Sequence, residues 1–105
     1  MQKQRDNLEY LKDHHGELYR AYQEFGQKVH EAGGPIDAKH RWLIKIGISA
    51  ACQYELALRT HIRKAQAAGC SREEIEHAIL LTAPTAGFPV MMGALLIMRE
   101  EMGEG

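Results

Sequence analysis

The sequence predicts an all-α protein, a bundle of about five to six helices, and three observations carry the prediction. Apolar residues recur at helical spacing, as at Leu18, Tyr22, Phe25 and Val29, which fall at i, i+4, i+7 and i+11. No stretch alternates apolar and polar residues with β-branched enrichment, so no strand is predicted. Strong punctuation divides the helical stretches, chiefly at Gly33-Gly34-Pro35, Gly69 and Gly87-Phe88-Pro89.

The first helix is expected to start near Arg5, with Leu8 and Leu11 as a short apolar edge and an interruption at Gly16. The second carries the Leu18–Val29 stripe and stops at Gly33-Gly34-Pro35. Asp37 has the side chain of an N-cap, with Ala38 opening the third helix. Leu43, Ile44, Ile46, Gly47, Ile48, Ala50 and Ala51 make that helix apolar nearly all round, which reads as buried. Its small residues Gly47, Ser49, Ala50 and Ala51 would admit a close neighbour. Helical pattern runs on to Ala68 without Gly or Pro, longer than base rates of helix length favour, and with the resemblance described below this leads to an expected break near Ala51 to Gln53. Gly69 then ends the helix, and Ser71 with Glu74 forms a capping box for the next. Pro84 and Gly87-Phe88-Pro89 mark a tight connection before a last apolar helix, Val90 to Met98. Charged Arg99 to Glu101 and a glycine-rich tail follow.

Composition narrows the function classes. The chain has 105 residues, suited to a single domain over 1–105 with one modest core. Thirteen basic and 14 acidic residues are spread evenly, with no basic stripe, so no nucleic-acid partner is expected. No apolar run has the length of a membrane span, and Met1 to Leu8 does not read as a secretory signal. Cys52 and Cys70 are too few for a disulfide framework, so a cytoplasmic setting is expected. The six histidines lack ligand spacing: His14 and His15 are adjacent, the others isolated, and HExxH is absent. No metal and no cofactor are expected. Two helices are too apolar for one small bundle, which predicts association of copies.

From Pro35 to Glu100 the chain resembles a known family. Ile36 to Lys45 resembles its "l-d-x-K-x-R/K-E-L-I" helix start. His61-Ile62-Arg63-Lys64-Ala65 to Gly69 resembles "H-x-R-x-A-L-x-A-G", and Ser71 to Ile75 resembles "t-r-E-E-I". Gly87-Phe88-Pro89 to Leu95 resembles "G-F-P-x-x-x-x-A-L". These segments, in order over about two-thirds of the chain, resemble the carboxymuconolactone decarboxylase and alkylhydroperoxidase D (AhpD-like) superfamily. The resemblance implies an AhpD-like helical bundle that assembles as a homo-oligomer, a trimer or hexamer.

In the thiol-active branch, the peroxiredoxin-type motif is E…C-x-x-C-x-x-x-H, with a nucleophilic thiolate, a resolving thiol and a proton relay. No C-x-x-C exists here. Counting back from Gly69, His61 takes the histidine position, Tyr54 and Ala57 the cysteine positions and Trp42 the relay glutamate position. Counting instead from Cys52-Gln53-Tyr54-Glu55, which resembles the "C-x-Y-E" of decarboxylase-type relatives, pairs Cys52 with Glu55 and puts Arg59 where histidine is expected. A two-residue shift at a helix break reconciles the registers.

The resemblance therefore implies His61, Glu55 and Cys52 as candidate catalytic residues, and Tyr54 and Arg59 as candidate substrate-binding residues. Tyr54 and His61, seven apart, share a helix face, and Glu55 and Arg59, four apart, can pair. A cleft with these groups at its mouth would suit a small carboxylate, anchored by Arg59 while His61 or Glu55 moves a proton. Structural roles compete at each position: an ordinary surface pair for Glu55–Arg59, a seam aromatic for Tyr54, a small buried apolar residue for Cys52 and packing for Trp42 and His61. Three functions follow as expectations. The first is a decarboxylase-like lyase acting on a small carboxylate or lactone by His/Glu proton transfer. The second is a thiol peroxidase or disulfide oxidoreductase using Cys52. The third is a non-enzymatic oligomeric helical binding module.

Overall fold

A computed structural model describes residues 2–104 and contains helices alone among them. The chain divides into two compact units, Met1–Pro35 and Ile36–Gly105.

The first unit holds α1 (Gln2–His14) and α2 (Gly16–Ala32). The start is three residues earlier than Arg5, and the interruption falls on His15, beside Gly16. His15 leaves helical geometry at φ −138° and ψ 50°. Helical hydrogen bonds nevertheless continue on both sides, from His15 N to Leu11 O at 2.8 Å and from Tyr19 N to His15 O at 2.9 Å. Lys12 Nζ lies 5.3 Å from the Tyr19 ring centre across this joint. Neither helix contains a buried residue.

The second unit holds α3 (Ala38–Ala51), α4 (Glu55–Ala67), α5 (Arg72–Leu80), the single-turn α6 (Ala83–Ala86) and α7 (Phe88–Met102). Asp37 caps α3 by accepting from His40 N at 3.0 Å. Ser71 and Glu74 form the reciprocal capping box of α5, at 3.1 and 2.8 Å. Pro84 opens α6, and Pro89 sits in the first turn of α7, where a missing N–H costs nothing. The last helix runs four residues past Met98, through the charged segment, because Arg99 to Met102 retain helical bonding to the cap at Gly103.

Both ends of the α3–α4 pair use the same closure. After α4, Gly69 N donates to Gln66 O and Cys70 N to Ala65 O, with Gly69 at φ +95°. After α3, Gln53 N donates to Ala50 O and Tyr54 N to Ser49 O, with Gln53 at φ +59°. Each is a Schellman closure needing a left-handed residue, and at the first a glutamine takes the place usually given to glycine. The break expected near Ala51 to Gln53 is therefore present.

Each long helix gives the core one stripe: Ile46 and Ala50 from α3, Leu58, Ile62 and Ala65 from α4, Ile75 and Ile79 from α5, Met91, Ala94 and Met98 from α7. Burying each of the large side chains contributes about 1.5–3 kcal/mol. The expectation that α3 is buried on all sides does not hold within the single chain. Ile44 and Ile48 are exposed, because a unit this small has one core and α3 can turn only one face into it. Among the described residues, no helix is long and apolar enough to cross a membrane.

Candidate functional site

Ser49, Tyr54, Glu55 and Arg59 gather where the end of α3, the start of α4 and the middle of α7 meet, while His61 is not among the lining residues and reaches the cleft only through its hydrogen bond to Ser49. A cleft of about 410 Å³ lies there, with Ser49, Gln53, Tyr54, Glu55 and Arg59 on one side and Gly93, Ala94, Ile97 and Glu100 on the other. Gly93 has nothing within 4 Å of where a Cβ would stand, so this wall is set back at that point.

Ser49 is the polar atom at the base of the cleft. It is 2% exposed, on the core-facing side of α3 between Ile46 and Ala50. Its Oγ and His61 Nδ1 are hydrogen-bonded at 2.8 Å, and either atom can carry the shared proton. His61 projects from α4 toward α3 and is half-buried. Burial holds its pKa below the ordinary 6.5; the Lys45 backbone carbonyl opposes this by hydrogen bonding, and the Lys45 charge adds to the lowering. The imidazole is therefore neutral at pH 7. Behind it the Trp42 ring centre lies 5.7 Å from the His61 ring centre, tilted by 47°. Lys45 Nζ stands 4.9 Å over the Trp42 ring.

Tyr54, Glu55 and Arg59 line the cleft. Tyr54 is the N-cap residue of α4, at φ −88° and ψ 86°, so the helical spacing that would align it with His61 does not extend to it. The Nδ1 partner of His61 is Ser49 instead. Glu55 is in the first turn of α4, where the helix dipole favours its charge.

Arg59 is the most committed side chain of the cleft. It is 14% exposed, donates to Glu100 at 2.6 Å and to Glu101 at 3.3 Å, and lies 3.7 Å from Glu55. Arg63 also reaches Glu101, at 3.0 Å. The Glu100 hydrogen bond raises the Arg59 pKa above its ordinary value, against a smaller lowering by burial. Arg59 Nε is buried without a hydrogen-bond partner. The guanidinium thus ties α4 to α7 with both terminal nitrogens engaged.

Cys52 is exposed at the C-cap of α3 and is not among the residues lining the cleft. Cys70 is buried, with Sγ 3.5 Å from Lys39 O, and burial pushes its thiol pKa up. The two flank α4, whose 13 residues span about 20 Å. That separation exceeds the Cα spacing of a disulfide several-fold.

Ser49 is the functional candidate that sequence reasoning missed, having been read only as a small packing residue. Its signal was a polar side chain inside the apolar stretch Ile46 to Ala51, a place where a buried hydroxyl requires a hydrogen-bond partner. The register counted back from Gly69 assigned Trp42 and His61 to the relay pair, and these two side chains meet in space. The Arg59 of the other register points to α7. Among the described residues, no group of three or more His, Cys, Asp or Glu is placed to hold a metal ion.

Comparison with known proteins agrees with the helical frame. Residues 16–100 match the carboxymuconolactone decarboxylase family. No curated protein matches the chain. With most of its length matched, and with an all-helical fold among the described residues, the chain belongs to the carboxymuconolactone decarboxylase family.

Proposed function

We propose that the cleft between α3, α4 and α7 binds a small lactone or related carbonyl compound, and that His61, acting through Ser49, moves a proton on it. The observation that carries this reading is the 2.8 Å hydrogen bond between His61 Nδ1 and a serine that lines the cleft. A half-buried neutral imidazole is a base at pH 7. As Ser49 Oγ takes a proton from the carbon next to the ligand carbonyl, it passes its own to His61, leaving an enolate. Return of that proton from His61 through Ser49 at another carbon of the enolate completes the cycle as an isomerisation. Glu55, exposed at the mouth, is the second proton-transfer group.

The charge pattern favours the lactone over the carboxylate. A carboxylate anchored on Arg59 would have to displace Glu100 and sit beside Glu55 and Glu101. Like charges at that range disfavour it. Tyr54 supplies a hydroxyl at the rim without this conflict.

The thiol reading has less support. Cys52 is exposed but lies outside the cleft, and Cys70 is too distant to resolve a disulfide with it in one chain.

A thermal-shift series with paired neutral lactones and their ring-opened acids, followed by turnover assays on the binders, tests the proposal. Lactones are expected to raise Tm more than the acids, and His61→Asn and Ser49→Ala each to remove turnover while leaving the fold intact. Turnover unchanged in both variants, or binding of the acids alone, would sink it. Peroxide turnover lost on Cys52→Ser would establish the thiol reading instead.

A further inference from the structure

We infer that Ser49 is also a nucleophile: it takes the acyl group of a small uncharged ester or lactone as a covalent ester on Oγ and passes it to water, so that the cleft hydrolyses such compounds. The inference rests on reading the α3–α4–α7 cleft as a site for a neutral carbonyl compound. It adds a covalent step on a side chain that the proton-transfer cycle leaves unmodified.

The hydroxyl and its base come first. Ser49 lines the cleft, and its Oγ lies 2.8 Å from His61 Nδ1. A serine is a weak nucleophile until a neighbouring base accepts its proton. His61 is that base, kept neutral at pH 7 by its burial. The start of α4 comes second. Tyr54 N donates to Ser49 O at 2.9 Å, which brings the first turn of α4 next to the serine. Tyr54, the N-cap, makes no side-chain hydrogen bond to that turn, and the first backbone bond is Leu58 N to Tyr54 O. The N–H groups of Glu55, Leu56 and Ala57 therefore have no acceptor within the helix. This positive helix end, at the side of the cleft that Tyr54 and Glu55 line, favours the negative charge that develops on a carbonyl oxygen as Ser49 adds to it. The Glu55 carboxylate at the same end is offset by Arg59, 3.7 Å away.

The rest of the lining suits substrate and product differently. Gly93, Ala94 and Ile97 give an apolar wall for a short acyl chain. Glu55 and Glu100 stand on the lining, so the acid formed by hydrolysis meets like charge and is released.

The steps balance. Ser49 Oγ bonds to the carbonyl carbon as its proton passes to His61, leaving a tetrahedral oxyanion. Collapse breaks the bond to the alkoxide oxygen, which takes the proton from His61, and the acyl group stays on Oγ. Water then adds to the acyl carbon and gives a proton to His61. The bond to Oγ breaks and the proton returns to Ser49. A lactone and water become a hydroxy acid, with no change of oxidation state.

Intact-mass spectrometry after an acid quench tests this in a Cys52→Ser background, which removes the exposed thiol. The probes are p-nitrophenyl acetate and phenylmethanesulfonyl fluoride, whose serine adduct resists water. Expected are a nitrophenolate burst of about one equivalent per chain, and one acetyl or sulfonyl group mapped to Ser49. Ser49→Ala and His61→Asn are each expected to remove the adduct and slow ester hydrolysis by about 10²-fold or more. Ser49→Cys is expected to carry the acetyl group as a thioester, a rescue that a merely structural serine would not show. Circular dichroism checks that each variant is folded. Deuterium uptake beside the carbonyl of γ-butyrolactone in heavy water reads the proton-transfer step separately. Uptake with no adduct on Ser49 overturns the inference and leaves the proton-transfer reading standing. An adduct on Ser49 without uptake upholds the inference and ends that reading. Adducts found only at other residues, or retained in Ser49→Ala, overturn it.

Discussion

Replacing Arg59 by methionine should unfasten α7 from α4. The wild-type guanidinium holds Glu100 at 2.6 Å and Glu101 at 3.3 Å while only 14% exposed. Methionine keeps most of the stem's packing and removes the charge. Glu101, nearly as buried, retains Arg63 at 3.0 Å, but Glu55 and Glu100 lose their nearest cation. Breaking a fully buried pair costs about 3–5 kcal/mol, whereas an exposed pair is worth about 1 kcal/mol or less. Arg59 is only partly buried and Glu100 half-exposed, so the loss falls between these limits, at about 2 kcal/mol. For a domain of this size that lowers Tm by roughly 8–16 °C. Urea unfolding of wild type, Arg59→Met, Glu100→Gln and the double variant would isolate the pair in a double-mutant cycle. A coupling of about 1 kcal/mol that shrinks at high salt is expected. A destabilisation below about 0.5 kcal/mol with no coupling would show that the ion pairs are ornaments of the surface, and the reasoning would fail.

The two left-handed closures make opposite predictions. Gln53→Gly should stabilise by about 0.5–1 kcal/mol, because it removes the cost of a side chain at φ +59°. Gly69→Ala should destabilise by about 1–2 kcal/mol from backbone strain alone, since its Cβ would meet nothing within 4 Å. Thermal melts check both, and a stabilising Gly69→Ala would contradict the assignment. The His61 pKa is lowered on folding, so between the folded value and 6.5 the unfolded state binds more protons. That contribution to stability is full above pH 6.5 and is lost as pH falls through the folded pKa. His61→Asn should flatten this acid-side limb of a stability–pH curve, and an unchanged limb would refute it. A thiol reagent should label Cys52 in the folded protein and Cys70 only after denaturation, in keeping with their exposure. Simultaneous labelling of both in the native state would count against the buried position of Cys70.

The helix frame was legible in the sequence wherever local chemistry wrote the boundary. Asp37, the Ser71–Glu74 box, Gly69 and Gly33-Gly34-Pro35 act through hydrogen bonds and backbone angles within a few residues. The α3–α4 break was expected only from helix-length base rates and family resemblance, because Gln53 gives no local sign of the left-handed turn it makes. Helix ends at Gln2 and Met102 were missed because charged residues continue a helix without apolar periodicity. At the cleft, Tyr54, Glu55 and Arg59 were found from the two family registers and from helical spacing. The Glu100 and Glu101 partners of Arg59 lie more than 40 residues away, and no local pattern encodes that meeting. Ser49 likewise acquires meaning only when α4 folds back on α3 and brings His61 to it. Apolar residues all round α3 were read as burial. Within one chain they instead divide into a core face and an open groove.

The central claim is that His61 is a neutral base joined to the cleft by Ser49. Its most direct test is an NMR titration of the His61 imidazole with and without a bound lactone, repeated in Ser49→Ala. A titration midpoint below 6.5 is predicted, with ligand-induced shifts at His61 that disappear when Ser49 is removed. A midpoint at or above 6.5, with resonances indifferent to the ligand, would contradict it.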